Sequence, residues 1–301
     1  MEPFWPRHSP HFLACRRSVR AFHGPAIIGL SGGADSLALV AAAAAEGKDV
    51  TAVVVDHGLQ EGSAEVAERA AEQARGWGVD ASVVPVSVSG PNLEAAARDA
   101  RYAALLSYGL DAWVAHTADD QAETLLLGAL RGNPAGMAPR GGLDGRVVRP
   151  FLGIRRADTT GACEELGIVP WNDPMNADAS FRRVAIRHSV IPKLSELIGG
   201  DAVPSLSAAA NRIAAERSLL EMLIDVSPSS DCTELAASPE PVRRRRLVAW
   251  LHGHGARIDG AQLASIERLI THWRGQGAVN LGAGRAVRRV DGRLVVVQTS
   301  S

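Results

Sequence analysis

The sequence contains 301 residues, of which 46% are hydrophobic and 22% are charged, and its net charge is −1, values that are ordinary for a globular protein. No apolar run approaches the roughly 20 residues of a membrane span, and the N-terminus has no apolar core that would indicate a signal peptide. The three cysteines, Cys15, Cys163 and Cys232, form no Cys-x-x-Cys pair, which argues against a disulfide scaffold, a zinc site or paired sulfur-transfer thiols and indicates a cytoplasmic protein without a membrane partner.

The first part of the chain alternates apolar, strand-like runs with amphipathic helical stretches. Strands are predicted at residues 26–30, 51–55, 82–86 and 112–115. Helices are predicted at residues 36–46, 63–76, 93–107 and 119–130. Apolar strands that alternate with helices are typical of a parallel sheet covered on both faces. The predicted fold class is therefore α/β, a doubly wound parallel sheet, and residues just past the strand ends, such as Ser31, Asp56 and His116, should share its carboxyl edge.

The second part is less regular and ends in a basic segment. Residues 131–150 are predicted to form a loop, and residues 227–241, with three prolines, a linker. Further helices are predicted at residues 155–166, 181–198, 205–226, 242–252 and 260–273, followed by short β-segments. Residues 242–301 contain eleven arginines and three acidic residues, a net charge of +8, which indicates a polyanionic partner such as RNA or, alternatively, a solubilising face. The predicted domains are a catalytic domain, 1–200, and a smaller, mostly helical, basic domain, 201–301.

The strongest functional motif is the glycine turn between the first strand and the first predicted helix. It consists of Ser31, Gly32, Gly33, Ala34, Asp35 and Ser36. Backbone N–H groups and the helix dipole make such a turn an anion site, and glycine lets the backbone approach a phosphate closely. No Gly-Lys-Ser/Thr follows, so the turn is not a Walker A loop; it is similar to the loop of enzymes that split ATP into AMP and pyrophosphate. Asp35 adds a carboxylate suited to Mg²⁺ beside a nucleotide.

Two further polar groups follow predicted strands. Asp56 and His57 end the second strand and could contact adenine or ribose, although a strand-terminating turn explains them equally well. His116 precedes a helix start that carries Asp120 and Glu123, whose carboxylates, three residues apart, face the same way. Acidic residues in a first helical turn also simply stabilise the helix, but that explanation leaves His116 without a role. We therefore predict that the acidic pair binds a cationic co-substrate or Mg²⁺.

Two arginine pairs have the spacing of a helical face. Arg98 and Arg101 lie one turn apart, where they could clamp the phosphate oxygens of an adenylation transition state or lie on a solvated face. Arg183 and Arg187 are four residues apart, a spacing at which like charges repel. A phosphate of ATP or RNA would relieve that repulsion, so we predict an anionic partner for this pair.

In this order, the motifs resemble those of the tRNA(Ile)-lysidine synthase family, in a short form, over about residues 25–195. The resemblance is carried by residues 31–36, 55–59, Leu93, Glu94, Arg98, Arg101, Tyr102, His116, 119–124, Arg149, Pro150, Trp171, Asp173, Pro174 and Asn176. The sequence departs from the family pattern at Val184, where Asn is usual, and the C-terminal part matches weakly. We expect no counterpart of the final domain of longer members.

The resemblance implies an ATP-dependent ligase that joins free L-lysine to C2 of the wobble cytidine, position 34, of the isoleucine tRNA with a CAU anticodon. It implies an adenylated cytidine intermediate and release of pyrophosphate and AMP. The implied ATP-binding residues are 31–36, Asp56 and His57, with Mg²⁺ at Asp35; the implied catalytic residues are Asp35, Arg98, Arg101, His116, Asp120 and Glu123; and Arg183 and Arg187 would hold tRNA. A homodimer is compatible with the sequence. The alternatives are a tRNA thiolase, which the scattered cysteines disfavour, an amidotransferase-type synthetase, for whose amidase module 301 residues leave no obvious room, and a regulatory nucleotide-binding module.

Overall fold

The computed structural model describes residues 5–6, 8–60, 62–89, 93–142, 145–173, 181–256 and 258–298. Pro174 and Asn176, which belong to the motifs above, lie outside these residues, as does the side chain of Glu94. The chain divides into two compact units, Met1–Ala215 and Glu216–Ser301. None of the helices in the described ranges is long and apolar enough to cross a membrane.

The first unit is built on one six-stranded sheet. Its strands are β1 (Ala26–Gly29), β2 (Val50–Asp56), β3 (Asp80–Pro85), β4 (Asp111–Trp113), β5 (Arg140–Gly141) and β6 (Val147–Val148). They lie in the order β3-β2-β1-β4-β6-β5, and all neighbours are parallel except β5 and β6. The predicted parallel sheet is confirmed, and each predicted strand end lies within two residues of the observed one.

Helices pack on both faces of this sheet. The helices up to residue 223 are α1 (Pro10–Val19), α2 (Ala34–Ala45), α3 (Ser63–Gly76), α4 (Leu93–Leu106), α5 (Ala118–Ala129), α6 (Arg156–Leu166), α7 (Arg182–Ala185), α8 (Ile191–Ile198) and α9 (Val203–Leu223), with a π-helical turn, Ile186–Val190, between α7 and α8. In β1, Ile28 packs into the cluster that contains the alanines of α2, whereas Ile27 packs with Leu105 of α4 on the other face. This alternation explains why the central strands are apolar throughout.

The predicted loop over residues 131–150 is wrong in part, because β5 and β6 lie within it. Each has only two residues, which is too short to show a strand pattern in the sequence. The backbone of Val114 donates to Val148 across the sheet at 2.9 Å. This pairing brings Arg149, directly after β6, to the carboxyl edge of the sheet.

In its described residues, the second unit contains the end of α9, three further helices and a small antiparallel sheet. Its elements are α10 (Cys232–Ala237), α11 (Glu240–Gly253), α12 (Gly260–Thr271), β7 (Val279–Gly282), β8 (Arg285–Val290) and β9 (Arg293–Gln298). The predicted linker over residues 227–241 is wrong, because α10 lies inside it and α11 starts there. Asp231 caps α10 by accepting from the backbone N–H groups of Thr233 and Glu234 at 2.9 and 3.1 Å. Pro239 and Pro241 flank the start of α11, a position that tolerates proline.

Candidate active site at the carboxyl edge of the sheet

The glycine turn connects β1 to α2 and is held closed by its serines. Gly32 has φ +79°, a conformation that favours glycine. The Ser36 hydroxyl donates to the Gly33 carbonyl at 3.0 Å and accepts from the Ser31 backbone N–H at 3.1 Å. Ala34 begins α2, so the N–H groups of a first helical turn point into the turn. The geometry is that of an anion-binding loop.

Asp35, on the first turn of α2, faces α6. The Thr159 hydroxyl donates to its carboxylate, and the Arg156 Nε lies 3.8 Å from the other carboxylate oxygen. Burial raises the pKa of Asp35 to about 6, against the opposing effects of the Thr159 hydrogen bond and the Arg156 charge. A carboxylate whose pKa is raised by burial is stabilised in its charged form by an added cation.

Asp120 and Glu123 both lie buried on the first turns of α5. Asp120 closes a capping box with Thr117: one carboxylate oxygen accepts from the Thr117 backbone N–H at 2.8 Å and from its hydroxyl at 2.9 Å. The other oxygen accepts from Arg156 at 2.9 Å. The net effect of these contacts is to lower the pKa of Asp120, although burial opposes it. Asp120 therefore stabilises the start of α5 and also pairs with the Arg156 charge.

Three arginines surround the fully buried carboxylate of Glu123. Arg156 donates to it at 3.1 Å and Arg187 at 2.7 and 3.2 Å, and the Arg183 Nε lies 3.7 Å away. Arg183 also donates to the Thr124 hydroxyl at 3.1 Å. In the described structure Glu123 is thus an anion shared by the two arginines for which the sequence predicts an anionic partner.

A cationic cluster lies across the same edge. The guanidinium groups of Arg98 and Arg101 lie 5.0 and 5.6 Å from the centre of the Tyr102 ring. Arg149 is 8% exposed, and its Nε, like that of Arg101, is buried and has no hydrogen-bond partner among the described residues. Buried donors without partners are uncommon and require an explanation, such as a ligand. Two arginines over one aromatic ring, with the charge of Arg149 acting on the same group of residues, form a site for a polyanion.

His116 lies beside these arginines. Burial lowers its pKa to about 3; the Asp120 carboxylate opposes that effect, and the charges of Arg149, Arg98 and Arg101 add to it. The imidazole is therefore neutral at physiological pH. Its Nδ1 is buried and meets no hydrogen-bond partner in the part of the chain that the structure describes, so it is available to a ligand as a donor or acceptor.

Asp56 and His57 follow β2 at the same edge. Asp56 accepts from the Gly58 backbone N–H at 3.0 Å, which is the strand-terminating turn that the sequence leaves open. Burial lowers the pKa of His57, and the charge of Arg101 lowers it further. Within the described ranges the His57 Nδ1 has no hydrogen-bond partner. Because the charge of Arg101 lowers the pKa of His57, His57 lies close enough to the cationic cluster to interact with it electrostatically.

Four contributors to this edge are not apparent from the sequence. They are Arg156 and Thr159 of α6, Arg149 as a side chain with a role of its own, and Gln121 of α5. Gln121 is fully buried, and its amide pairs with both backbone groups of Met137, at 2.8 and 2.7 Å. The spacing of Arg156 and Thr159, one helical turn apart, is visible in the sequence, but nothing local shows that this helix faces Asp35.

The motif around Trp171 also reaches the glycine turn. The Trp171 backbone N–H donates to the Gly32 carbonyl at 2.9 Å. Asp173 accepts from the Gln60 amide at 3.2 Å, which joins it to the loop after β2. Val184, at the position where Asn is usual, is buried in α7.

Comparison with known proteins assigns both parts of the chain. Residues 15–194 match the PP-loop domain, and residues 231–295 match the TilS substrate binding domain. The tRNA(Ile)-lysidine synthase of Corynebacterium glutamicum is 49% identical over 304 residues, covering 98% of this chain and 95% of its own length. The enzyme of the same name from Corynebacterium diphtheriae is 54% identical over 297 residues, covering 98% of this chain and 100% of its own length.

A solved structure supports the fold of the chain. The U34-tRNA thiolase NcsA from Methanococcus maripaludis, solved with its 4Fe-4S cluster, aligns with a TM-score of 0.55. The alignment covers 78% of this chain and 88% of that chain at 15% sequence identity. At this level of identity the similarity concerns the fold alone.

Proposed function

The chain belongs to the tRNA(Ile)-lysidine synthase family, an ATP-dependent ligase that forms lysidine on tRNA(Ile), and we propose that it works through an adenylated cytidine. The observation that carries this mechanism is that two differently charged sites lie at one sheet edge, where Arg156 contacts both Asp35 of the glycine turn and Asp120. The glycine turn and the cationic cluster suit a polyphosphate, and the Asp120–Glu123 pair suits an amine. A ligase that first activates a base and then adds lysine needs both.

In the first step, the C2 oxygen of the wobble cytidine attacks the α-phosphate of ATP and pyrophosphate leaves. Residues 31–36 would hold the phosphates, with Asp56 and His57 near the nucleoside. Arg98 and Arg101 would stabilise the charge that develops on the phosphate oxygens. The neutral imidazole of His116 would orient a polar group without adding a competing charge.

In the second step, the ε-amine of lysine attacks C2, and the C2–O bond breaks. AMP leaves with the former C2 oxygen, and the amine nitrogen loses its protons to the surroundings. Asp120 and Glu123 would hold the lysine, since ionised carboxylates bind an ammonium group through charge-assisted hydrogen bonds. Positioning three substrates in line supplies much of the rate.

We propose Asp35 as the residue that holds Mg²⁺. The described residues contain no group of three or more His, Cys, Asp or Glu side chains that could bind a metal by themselves. Mg²⁺ commonly takes only one or two carboxylates and completes its shell with phosphate oxygens and water. The partly buried carboxylate of Asp35 at the end of the phosphate loop, whose pKa burial raises to about 6, fits that requirement. When bound, Mg²⁺ would neutralise charge on the ATP phosphates.

We propose that Arg183, Arg187 and exposed arginines of the second unit contact the tRNA backbone. Arg183 is partly exposed although it approaches Glu123, so one face of its guanidinium can meet a phosphate. Exposed arginines of the second unit include Arg268, Arg274, Arg288 and Arg293. A cytoplasmic location and a homodimer stay predictions; light scattering on the purified protein tests the second.

The thiolase alternative finds no support in the cysteines. Cys15, Cys163 and Cys232 are buried and free. Burial raises the thiol pKa of Cys15 and of Cys163 to about 12 and also raises that of Cys232. A sulfur-transfer cysteine must be accessible and readily deprotonated.

The deciding experiment measures incorporation of labelled lysine into an unmodified isoleucine tRNA transcript with a CAU anticodon, with ATP and Mg²⁺, while AMP release is followed. Lysine labelling of that transcript, absent from a methionine tRNA with the same anticodon, is expected. AMP release without lysine labelling would move the activity to another substrate. Pyrophosphate release in the absence of lysine would support the adenylated intermediate.

A further inference from the structure

One guanidinium connects the two halves of the site. Arg156 uses three different nitrogens for three carboxylates: Nε lies 3.8 Å from Asp35, Nη2 donates to Asp120 at 2.9 Å and Nη1 donates to Glu123 at 3.1 Å. Asp35 belongs to α2, and the other two acids belong to α5. The side chain is 24% exposed, and those of its partners Asp120 and Glu123 are 12% and 0% exposed. The contact is therefore largely shielded from water.

The charges make this arrangement dependent on Arg156. Ionised carboxylates gathered in a buried place repel one another unless a cation compensates them. Arg183 and Arg187 compensate Glu123, but among the described residues Arg156 is the one arginine or lysine that forms an ion pair with Asp35. Without it, the acidic pair of α5 would lose its link to the phosphate loop.

The backbone fixes where this guanidinium lies. Arg156 is the first residue of α6, and its N–H donates to Asp119 at 2.8 Å. One turn later the Thr159 hydroxyl reaches Asp35. The start of α6 is thus attached to both α5 and α2. A planar, five-donor guanidinium can serve three acids at once, which a lysine ammonium on a flexible stem does less well.

We propose that Arg156 is a positioning residue for the second half-reaction, holding Asp120 and Glu123 in register with the Asp35 end of the ATP loop so that bound lysine meets the adenylated cytidine. This inference rests on the proposed function. It assigns Arg156 no contact with substrate, and it predicts that its loss affects lysine transfer more than adenylation.

The test compares Arg156→Gln and Arg156→Lys with Arg155→Gln. Arg155 is the matched control, because it is the adjacent residue and forms ion pairs with Asp119 and Asp201 but with none of the three carboxylates above. Three quantities are measured: the KM for lysine, the single-turnover rate of lysine transfer to pre-adenylated tRNA, and pyrophosphate release without lysine. Melting temperatures are recorded for every variant.

For Arg156→Gln we expect a KM for lysine raised roughly tenfold or more and transfer slowed by about 100-fold, the order expected for a small misplacement of reacting groups. Pyrophosphate release should fall much less. Arg156→Lys should recover part of the KM, because the charge is kept, and less of the transfer rate, because the fork is lost. Arg155→Gln should leave the KM for lysine within about twofold of the wild-type value.

Wild-type kinetics in Arg156→Gln, an equal loss in both half-reactions, or the same rise in KM for Arg155→Gln would each overturn the proposal. If Arg156→Gln does not fold, Arg156→Lys decides: a wild-type transfer rate in that variant rejects the positioning role. Failure of the wild-type protein to label tRNA with lysine rejects the proposed function instead, whatever the variants do.

Discussion

Thr159 and Asp35 are 124 residues apart in the chain, and the Thr159 hydroxyl donates a hydrogen bond to the Asp35 carboxylate. This bond and the nearby Arg156 charge favour the ionised form of Asp35, whereas burial disfavours it and raises the pKa to about 6. Asp35 is therefore ionised at neutral pH at a cost in stability. A group that is destabilising in the free protein and suited to a cation is typical of a functional site.

That cost gives the first prediction, for Asp35→Asn in the absence of ATP and Mg²⁺. The pKa of Asp35 is about 6 in the folded protein, above its ordinary value of 3.8. The folded state therefore binds the proton more tightly, and the free energy of unfolding falls as the pH rises through this window, by up to about 3 kcal/mol. Asp35→Asn should melt higher than the wild type at pH 8 but not at pH 4.

The same variant should lose lysidine formation while keeping tRNA affinity, as should Asp35→Ala. Asp201→Asn is the control of opposite sign. Burial opposes the lowering of the Asp201 pKa, but hydrogen bonds from the Val203 backbone and Arg155 outweigh it. Asp201→Asn should therefore melt lower than the wild type at pH 8. An equal gain for Asp35→Asn at pH 4 and pH 8 would contradict the assigned pKa, and full activity would contradict the assigned role.

The second prediction concerns the backbone of the phosphate loop. Gly32 has φ +79° and Gly24 has φ +86°, so alanine at either position is strained. Each substitution should cost about 1–2 kcal/mol of unfolding free energy. A Cβ at Gly24 would meet nothing within 4 Å, and one at Gly32 would lie 3.4 Å from the Ala70 Cβ. Chemical denaturation should thus show similar losses, whereas steady-state kinetics should show a raised KM for ATP in Gly32→Ala alone. A raised KM in both variants would indicate a general effect of instability.

Much of the fold could be predicted because its signals are local. The strands β1 to β4 are apolar runs bounded by turns, and the glycine turn has a fixed order of residues. The helix α1 escaped prediction although Phe12, Cys15 and Val19 on one of its faces are fully buried. It is short and arginine-rich, and its apolar face becomes apparent only when α2 and α6 are present to cover it.

The sequence indicates the acidic side chains of the site more clearly than the arginines that pair with them. Asp35, Asp120 and Glu123 belong to ordered motifs. The partner that joins them, Arg156, lies on a helix whose position depends on long-range packing. The like charges of Arg183 and Arg187 indicate an anionic partner, but sequence spacing does not show that a buried carboxylate 60 residues earlier faces them.

The third prediction concerns Gln121, whose side-chain amide forms two hydrogen bonds with the backbone of Met137. Gln121→Leu should leave those backbone groups without partners and cost about 1–3 kcal/mol for each one that water does not reach. Asn211→Ala is the matched control, because it removes only the 2.6 Å bond between the Asn211 oxygen and the same amide. Hydrogen exchange should show faster exchange of the Met137 amide in Gln121→Leu than in Asn211→Ala. Equal protection of the Met137 amide in the two variants would contradict the proposed role of the Gln121 side chain.

The fourth prediction separates structural from RNA-binding arginines in the second unit. Arg243 is 12% exposed and pairs with Glu267 at 2.9 Å, and Arg244 pairs with the same carboxylate at 2.8 Å. Because Arg244 still compensates Glu267, Arg243→Ala should cost about 1.5–3 kcal/mol in unfolding free energy, the value of a hydrogen bond to a charged group. Arg274 and Arg288 are exposed, and replacing them by alanine should change stability by less than about 0.5 kcal/mol.

If the exposed arginines contact phosphate, each of the two alanine variants should weaken tRNA binding and reduce the slope of log affinity against log salt by roughly one. Arg243→Ala should leave that slope unchanged at temperatures where it is folded. Binding titrations at several salt concentrations check both expectations. If the slope is unchanged in Arg274→Ala and Arg288→Ala, the net charge of +8 in residues 242–301 serves solubility rather than RNA binding. A contact that releases counterions cannot be removed without changing the salt dependence of tRNA binding.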